Sequence, residues 1–502
     1  MFVALDRYKS GFSSVGAGCS KLLNDTLYES FGDRGQAGTL HSFGVRGANP
    51  LGYYRHSTPT EFTGRDAGST SAALVAAVPR CVSASLRLAS LRCLLTAEAQ
   101  RRGGFAEKSR DLTICSTPDS RSGIISEPKK ERRMRKRGAT TEGTKRYAER
   151  VSGIAPADHF RMQQGLAMSS IGLGTYLGHW DDATDKMYQE AIRRAIELGC
   201  NVIDSAINYR FQRSERAIGA TLKQVFEAGD AARDEIVLAT KGGFFPFDGE
   251  PPRDARGWII ENVIDKGIAR SEEIVGGSHC MSPGYLEDQL SRSLNNLGVD
   301  SIDVYYIHNP ETQLESVTRD EFNTRIRAAF GFLEQAASDG RISSYGTATW
   351  NGYRQPSSSR GYLSLEGMVE LAREVGGDAH HFRVIQLPYN LAMPEAITEA
   401  TQVVEGEPVS TLMAADRLGI TVMCSASILQ SKLTQDLPPF VAEALTNLNT
   451  DAQRAIQFVR STPGVTTALV GMSKRSHVEE NLGTARVAPA SVDDFFKMFS
   501  NN

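Results

Sequence analysis

The sequence predicts a (β/α)8 barrel, or TIM barrel, over residues 143–502, preceded by a long N-terminal extension. Two observations support this fold. Short β-branched segments alternate with helical patterns, and the alternation repeats eight times within roughly 350 residues. Such alternation is typical of a parallel sheet covered by helices, and eight units are the number that closes a barrel, whose active site lies at the carboxyl ends of the strands.

Each predicted strand is followed by a helical pattern, and several helices are predicted to end at a glycine, which accepts the left-handed conformation found after a last helical turn. These glycines are Gly199, Gly229, Gly298, Gly340 and Gly419. The first three helices are DKMYQEAIRRAIELGC, SERAIGATLKQVFEAG and YLEDQLSRSLNNLG. The predicted strands are, in order, SSIGLGTYLG, NVIDSA, EIVLATKGG, SIDVYYIHNP, ISSYGTATW, FRVIQLPYN, ITVMCSAS and TTALVGMS.

The competing α/β architecture is a doubly wound dinucleotide-binding sheet. Its nearest counterpart here is Gly172-x-Gly174 followed by Gly178, with Asp204 at the end of the next strand. The glycine spacing departs from GxGxxG, and the acids of HWDDATD stand where a pyrophosphate needs bare backbone amides. The barrel is therefore preferred.

The first 142 residues are interpreted as a disordered or targeting-like extension. Residues 1–140 carry roughly ten more basic than acidic side chains, whereas the remainder is acidic by roughly thirteen, giving the net charge of -3. The segment Ser71–Arg102 has the Arg, Ser and small apolar composition of an organelle transit peptide, although about seventy residues precede it. The expected location is the cytoplasm, or a plastid or mitochondrion if this segment is a transit signal.

The basic run Lys129–Arg137 permits a nuclear signal or a nucleic-acid arm, but a solvated linker is preferred because no aromatic residues are interleaved for base stacking. No run of 18 apolar residues occurs, so we predict no membrane partner. The seven cysteines are scattered without a CxxC pair, which favours reduced thiols over disulfides and predicts no metal site.

Ionisable residues stand at three successive predicted strand ends. Asp204 ends the second strand, Lys241 the third and His308 the fourth, and Tyr209 lies in the loop after Asp204. Each residue alone has an ordinary explanation, such as a helix cap for the acid or a solvated lysine. Three separate explanations would have to hold at three consecutive strand ends. One shared site explains all three residues together and is preferred.

The segments NVIDSAINY, LATKGG, YYIHNP and LVGMSKRSHVEENL together resemble the aldo-keto reductase family, over about residues 160–490. The resemblance implies that Asp204, Tyr209, Lys241 and His308 are the catalytic tetrad of a carbonyl reductase. Tyrosine, with a pKa of about 10, is a poor acid, and an adjacent lysine ammonium is expected to lower that pKa. Asp204 is expected to pair with Lys241, and a neutral His308 to orient the substrate carbonyl.

The resemblance also implies NADPH as cofactor. Its 2′-phosphate is expected at the start of the last helix, where a hydroxyl and two positive charges suit a phosphate. Thr349 and Gln386 are expected at the nicotinamide carboxamide, and Ser425 stands where many members of the family have a ring-stacking aromatic residue. The residues expected around the phosphate and adenine are Gly471, Ser473, Lys474, Arg475, Glu480 and Asn481.

The substrate is expected to be a small-molecule carbonyl compound, with no nucleic-acid partner. The long loop 243–283, with Trp258, together with Tyr176, Trp180 and Trp350, favours a partly apolar site, but loop packing explains these aromatics equally well. A second function remains open on the sequence alone. The same fold serves as the β subunit of potassium channels, in which the tetrad is kept and turnover is slow.

Overall fold

The computed structural model describes residues 138–499. The transit-like segment 71–102 and the basic run 129–137 lie outside the described residues. The strands are β1 Phe160–Gln163, β2 Leu166–Ser169, β3 Ile171–Gly174, β4 Val202–Asp204, β5 Val237–Gly242, β6 Ile302–His308, β7 Ile342–Ala348, β8 Phe382–Pro388, β9 Gln402–Val404, β10 Glu407–Val409, β11 Thr421–Ser425 and β12 Thr467–Gly471.

The helices surround these strands and connect most of them. They are α1 Thr141–Arg150, α2 Asp182–Glu197, α3 Arg213–Ala228, α4 Ala255–Ile259, α5 Pro283–Leu297, α6 Arg319–Ser338, α7 Leu365–Gly376, α8 Glu395–Thr398, α9 Thr411–Arg417, α10 Pro439–Ala444, α11 Asp451–Ser461, α12 Arg475–Leu482 and α13 Val492–Lys497. Within residues 138–499, no helix combines the length and the apolar character needed to cross a membrane.

Eight parallel strands close into a barrel in the order β3, β4, β5, β6, β7, β8, β11 and β12, and β12 pairs back with β3. The predicted fold is confirmed, and the eight predicted strands correspond to these eight in the same order. The five helix-ending glycines all have positive φ, between 66° and 99°, as their role requires. Because the strands are parallel, their carboxyl ends meet at one rim.

Two apolar clusters hold the barrel together. The larger lies between the strands and the helices. The smaller fills the interior, where Val202, Val237, Val304 and Val384 come from four different strands of the barrel. Met168 joins the interior cluster from outside the barrel strands. It belongs to an antiparallel hairpin of β1 and β2, which the sequence analysis did not predict.

This hairpin turns at Gln164 and Gly165, both with positive φ, as a two-residue turn between twisted strands requires. Asn201 fixes it to the barrel: its Oδ1 accepts from the Ser169 amide at 2.8 Å and its Nδ2 donates to the Ala167 carbonyl at 2.8 Å. Since Met168 packs among the valines of the strands, the hairpin covers the amino-terminal end of the barrel.

The long connection between β5 and α5 is an ordered insertion with a small core of its own. Helix α4 continues into a π-helical turn over Ile260–Ile264. Ile259 and Val263 pack with Phe245 and Tyr285, and this cluster anchors the insertion on α5. Trp258 packs edge-on against Phe247 at 4.9 Å, so this tryptophan serves loop packing.

Gly346 in β7 is a position where the barrel leaves no room for a side chain. A Cβ there would lie 1.6 Å from the carbonyl oxygen of Val384. We predict that Gly346→Ala lowers the free energy of unfolding by at least about 2 kcal/mol, because backbone must move. The control is Gly331→Ala on the exposed face of α6, where no atom lies within 4 Å. It should raise stability by roughly 0.5–1 kcal/mol. Denaturant unfolding measures both, and equal effects would contradict the close approach in β7.

His159 should make stability depend on pH. It is fully buried, with Nε2 3.1 Å from the Gly199 carbonyl and Nδ1 2.9 Å from the Ser170 hydroxyl. Burial, aided by the charge of Arg460, lowers its pKa from 6.5 to about 3. Because the folded pKa lies below the unfolded one, its contribution is fully present above pH 6.5 and is lost as pH falls toward 3.

At pH 5 this loss amounts to about 2 kcal/mol, at roughly 1.4 kcal/mol per pH unit. The variant His159→Gln should therefore lose less stability than wild type between pH 7 and pH 5, in parallel denaturant titrations. His477→Gln, on an exposed part of α12, is the control and should follow the wild-type profile. Parallel profiles for wild type and His159→Gln would show that His159 does not carry the effect.

Candidate active site at the carboxyl ends of the strands

The structure brings the four residues of the predicted tetrad together. Asp204 is the last residue of β4, Lys241 stands one residue before the end of β5, and His308 is the last residue of β6. These three strands are neighbours in the barrel. Tyr209 follows in the turn after β4, and its ring contacts that of His308 at 5.8 Å between centroids.

A buried ion pair forms the base of the site. Lys241 Nζ donates to Asp204 Oδ2 at 2.6 Å and to the Ser205 carbonyl at 2.6 Å, and both side chains are almost fully buried. Burial lowers the pKa of Lys241, and the charge of Asp204 opposes that shift. The second oxygen of Asp204 accepts from Gln386 Nε2 at 2.8 Å.

Tyr209 lies against this ion pair through the face of its ring. Lys241 Nζ is 5.0 Å from the ring centroid, and Tyr176 packs edge-on against the ring at 4.9 Å. Burial and the charge of Asp204 raise the pKa of Tyr209. We expected Lys241 to lower this pKa, and that expectation is wrong for this geometry, because the ammonium donates to Asp204 and to the Ser205 carbonyl and meets the ring face.

His308 is held between aromatic rings. Phe244 packs edge-on against it at 5.0 Å with an interplanar angle of 89°, and Tyr209 flanks it. Burial, followed by the charges of Lys241 and His279, lowers the pKa of His308 well below 6.5. The imidazole is therefore neutral at physiological pH, the state that the sequence analysis expected. Within the described residues, its buried Nδ1 has no hydrogen-bond partner.

The turn after Tyr209 has an uncommon backbone. Arg210, Phe211 and Gln212 have φ values of 48°, 56° and 70°, a conformation that costs roughly 1–2 kcal/mol for each non-glycine residue. Arg210 offsets this cost by pairing with Asp185 and by donating from Nε to the His179 carbonyl at 2.7 Å. Gln212 Nε2 donates to the Pro246 carbonyl at 2.9 Å.

The residues predicted to hold the nicotinamide follow other strands of the same rim. Thr349 comes directly after β7, Gln386 lies in β8 and Ser425 ends β11. The Thr349 amide donates to the Gln386 carbonyl at 2.8 Å, and Thr349 Oγ1 is buried without a partner in the described part of the chain. The amide nitrogen of Gln386 is already engaged by Asp204.

The predicted phosphate and adenine residues lie at the end of β12 and on α12, and β3 separates β12 from β4. Lys474 and Arg475 are exposed, and Arg475 Nε donates to Glu479 at 3.1 Å. Asn481 is buried, and among the described residues its Oδ1 has no partner. The other predicted residues of this segment are Gly471, which is exposed, and Ser473 and Glu480, which are partly buried.

Sequence reasoning missed several residues of the site. Phe244 and His279, from the two ends of the insertion, contact His308, and Ser205 supplies a carbonyl to Lys241. Glu311 Oε1 accepts from the amides of Trp350 and Asn351 at 2.7 Å and 3.2 Å, joining the loops after β6 and β7. Among these residues, only Glu311 could have been found from the sequence, because it is an acidic residue three positions after the predicted strand end at His308.

Residues 170–358 match the family model described as the aldo/keto reductase family. Over these residues the chain resembles the aldo-keto reductase family. An NADH-specific methylglyoxal reductase from Escherichia coli (strain K12) is 28% identical over 188 residues, or 36% of this chain and 49% of that enzyme. The chain thus spans about half the length of this relative.

Two further comparisons cover more of the chain. A probable voltage-gated potassium channel subunit beta from Oryza sativa subsp. japonica is 22% identical over 340 residues, 65% of this chain and 90% of that protein. A crystal structure of an aldo/keto reductase from Klebsiella pneumoniae in complex with NADP and acetate is 18% identical. The match covers 68% of this chain and 94% of the solved chain, with a TM-score of 0.46.

Proposed function

We propose that this protein reduces aldehydes or ketones to alcohols with NADPH as the hydride source. The observation that carries the proposal is the buried Lys241–Asp204 ion pair, with Tyr209 and His308 beside it at the rim where barrel enzymes place their chemistry. The match of residues 170–358 to the aldo/keto reductase family model supports an oxidoreductase.

Several groups at the rim fit a nicotinamide dinucleotide. Thr349 Oγ1 and Asn481 Oδ1 are buried polar atoms without partners in the described residues, and a bound polar group would satisfy them. Ser473, Lys474 and Arg475 offer a hydroxyl and two cations to a 2′-phosphate, which favours NADPH over NADH. When bound, the cofactor supplies the hydride.

The ring-stacking position is a departure from many members of the family. Ser425 ends β11 in place of an aromatic residue, and Tyr389, which follows β8, instead stacks on Phe458 of α11 at 5.6 Å. A bound nicotinamide would then be held mainly by polar contacts at the rim.

The residues of the chain would move the proton. Tyr209, kept protonated by its raised pKa, donates its proton to the carbonyl oxygen as negative charge develops there. Asp204 keeps Lys241 charged in a buried place beside the ring of Tyr209. Neutral His308 donates a hydrogen bond to the same oxygen and so holds the carbonyl in position.

Replacing the proton donor tests this assignment. Tyr209→Phe should lower kcat by roughly 10²–10⁴-fold, the usual contribution of a general acid. The dissociation constant for NADPH, measured by fluorescence titration, should change less than about two-fold because the ring is retained. Tyr147→Phe on α1, which removes a buried tyrosine hydroxyl that donates to the Ile196 carbonyl, is the matched control. Full turnover by Tyr209→Phe with a reactive aldehyde would contradict the assignment of Tyr209 as the proton donor.

Cofactor choice gives a second test. Lys474→Ala and Arg475→Ala should each raise the dissociation constant for NADPH about ten-fold, since a charged hydrogen bond is worth roughly 1.5–3 kcal/mol. Binding of NADH, which lacks the 2′-phosphate, should change less than about two-fold. Lys223→Ala on the exposed face of α3 removes the same charge elsewhere. Equal losses for both nucleotides would contradict a phosphate contact at these residues.

A second candidate function is a regulatory subunit with little turnover, resembling a potassium channel β subunit. It is favoured by the alignment with the rice protein, which extends over 90% of that relative's length. Multiple-turnover oxidation of NADPH with a panel of aldehydes would favour the reductase. Absence of turnover, together with co-purification of a channel from membranes, would favour the regulator.

A further inference from the structure

The insertion between β5 and α5 closes on a narrow neck beside the predicted active site. Phe244, near its start, forms an antiparallel bridge with His279, near its end. The Cys280 amide donates to the Gly243 carbonyl at 2.9 Å, and the Phe245 amide donates to the Ser278 carbonyl at 3.2 Å. The neck therefore places both ends of the insertion where β5 ends, next to the end of β6.

A directed chain of hydrogen bonds runs from α6 through this neck to His308. Arg325 Nη1 donates to Gln313 Oε1 at 2.7 Å, and Gln313 Nε2 lies 2.9 Å from His279 Nδ1. His279 Nε2 lies 2.7 Å from the carbonyl oxygen of His308. Because arginine only donates, Gln313 must present its amide nitrogen to His279, which then accepts at Nδ1 and donates from Nε2.

The neutral form of His279 satisfies every partner in this chain. Gln313 and His279 are both fully buried, so a mismatched donor or acceptor would be costly. Burial lowers the pKa of His279 to about 4, in keeping with the neutral form. The chain thus holds one tautomer and fixes the position of the His308 carbonyl.

Phe244 restricts the orientation of the His308 side chain, as His279 restricts the position of its backbone carbonyl. Its ring packs edge-on against His279 at 5.0 Å and edge-on against His308 at 5.0 Å. Within the described residues, Nδ1 of His308 has no hydrogen-bond partner. The orientation of the imidazole therefore depends on its ring neighbours and on its backbone, and the insertion supplies Phe244 and the anchor of that backbone.

We propose that His279 is a positioning residue that fixes His308 for the reaction through the hydrogen bond to its backbone carbonyl. The role depends on the proposed function, because His308 is useful to the reaction only if a carbonyl oxygen is bound beside it. His279 touches neither the substrate nor the cofactor in this role. The insertion thereby sets the geometry of a predicted catalytic residue.

A matched pair of substitutions separates the two ends of the His279 ring. The amide nitrogen of Gln reaches the place of Nε2, so His279→Gln keeps a donor for the His308 carbonyl. The shorter Asn reaches only the place of Nδ1, so His279→Asn keeps the contact with Gln313 and loses that donor. Melting temperatures identify variants that are merely unfolded.

We expect His279→Asn to lower kcat at least about ten-fold, since small misplacements at a reacting centre are costly. KM and the NADPH dissociation constant should stay within about two-fold, and His279→Gln should keep kcat within about three-fold of wild type. In a His308→Ala background, His279→Asn should have no further effect on kcat. An equal loss in that background, or an equal loss for Gln and Asn, would overturn the proposal.

A spectroscopic measurement tests the positioning role of His279 without measuring turnover. In protein labelled at histidine, the ¹³Cε1–¹H resonance of His308, assigned with His308→Ala, should shift in His279→Asn and stay in place in His279→Gln. An unmoved resonance in both variants would overturn the positioning role. If the resonance shifts as expected in His279→Asn but the wild-type protein reduces no carbonyl compound, the proposed function is contradicted and the positioning role is not.

Discussion

The ion pair between Lys241 and Asp204 is the interaction on which the rest of the predicted site depends. A buried lysine without a partner loses its charge, and a buried pair that loses one member costs about 3–5 kcal/mol. Here the carboxylate and the Ser205 carbonyl satisfy the ammonium, while Gln386 satisfies the other carboxylate oxygen. Both carboxylate oxygens therefore have a donor and the ammonium has two acceptors, which is the kind of environment in which burying such a pair is tolerated.

Closure of the barrel makes this arrangement possible. Asp204 and Lys241 belong to neighbouring parallel strands, so their side chains reach the same rim. Gln386 comes from β8, which is separated from β4 by three strands along one side of the barrel. Its contact with Asp204 therefore crosses the barrel, and an open sheet of the same strands would leave both polar groups without this partner.

The sequence predicted what local patterns and strand direction determine. Strand ends and helix-ending glycines are local features, and parallel strands bring Asp204, Lys241 and His308 to one rim whatever the details of the loops. The contact of Gln386 with Asp204 was missed because it depends on closure. The β1–β2 hairpin was missed because its strands are short and partly polar, although Gln164-Gly165 is a turn signal.

Loop geometry escaped prediction for another reason, which the turn after Tyr209 illustrates. Glycine would adopt its left-handed backbone at the lowest cost. The chain instead has Arg210, Phe211 and Gln212, whose side chains contact Asp185, Trp180 and the Pro246 carbonyl. The strain is offset by these long-range contacts, so no local propensity could reveal it.

The insertion is connected both to the turn that carries Tyr209 and to His308. The Gly249 amide donates to the Phe211 carbonyl at 2.9 Å, which ties the insertion to the turn that carries Tyr209. His279 ties its other end to His308. The insertion thus contacts both the turn that carries Tyr209, the proposed proton donor, and His308, the proposed hydrogen-bond donor. The relative position of Tyr209 and His308 sets how well both can hydrogen-bond to one carbonyl oxygen. Sequence changes in this insertion should therefore alter the rate of the chemical step as well as the choice of substrate.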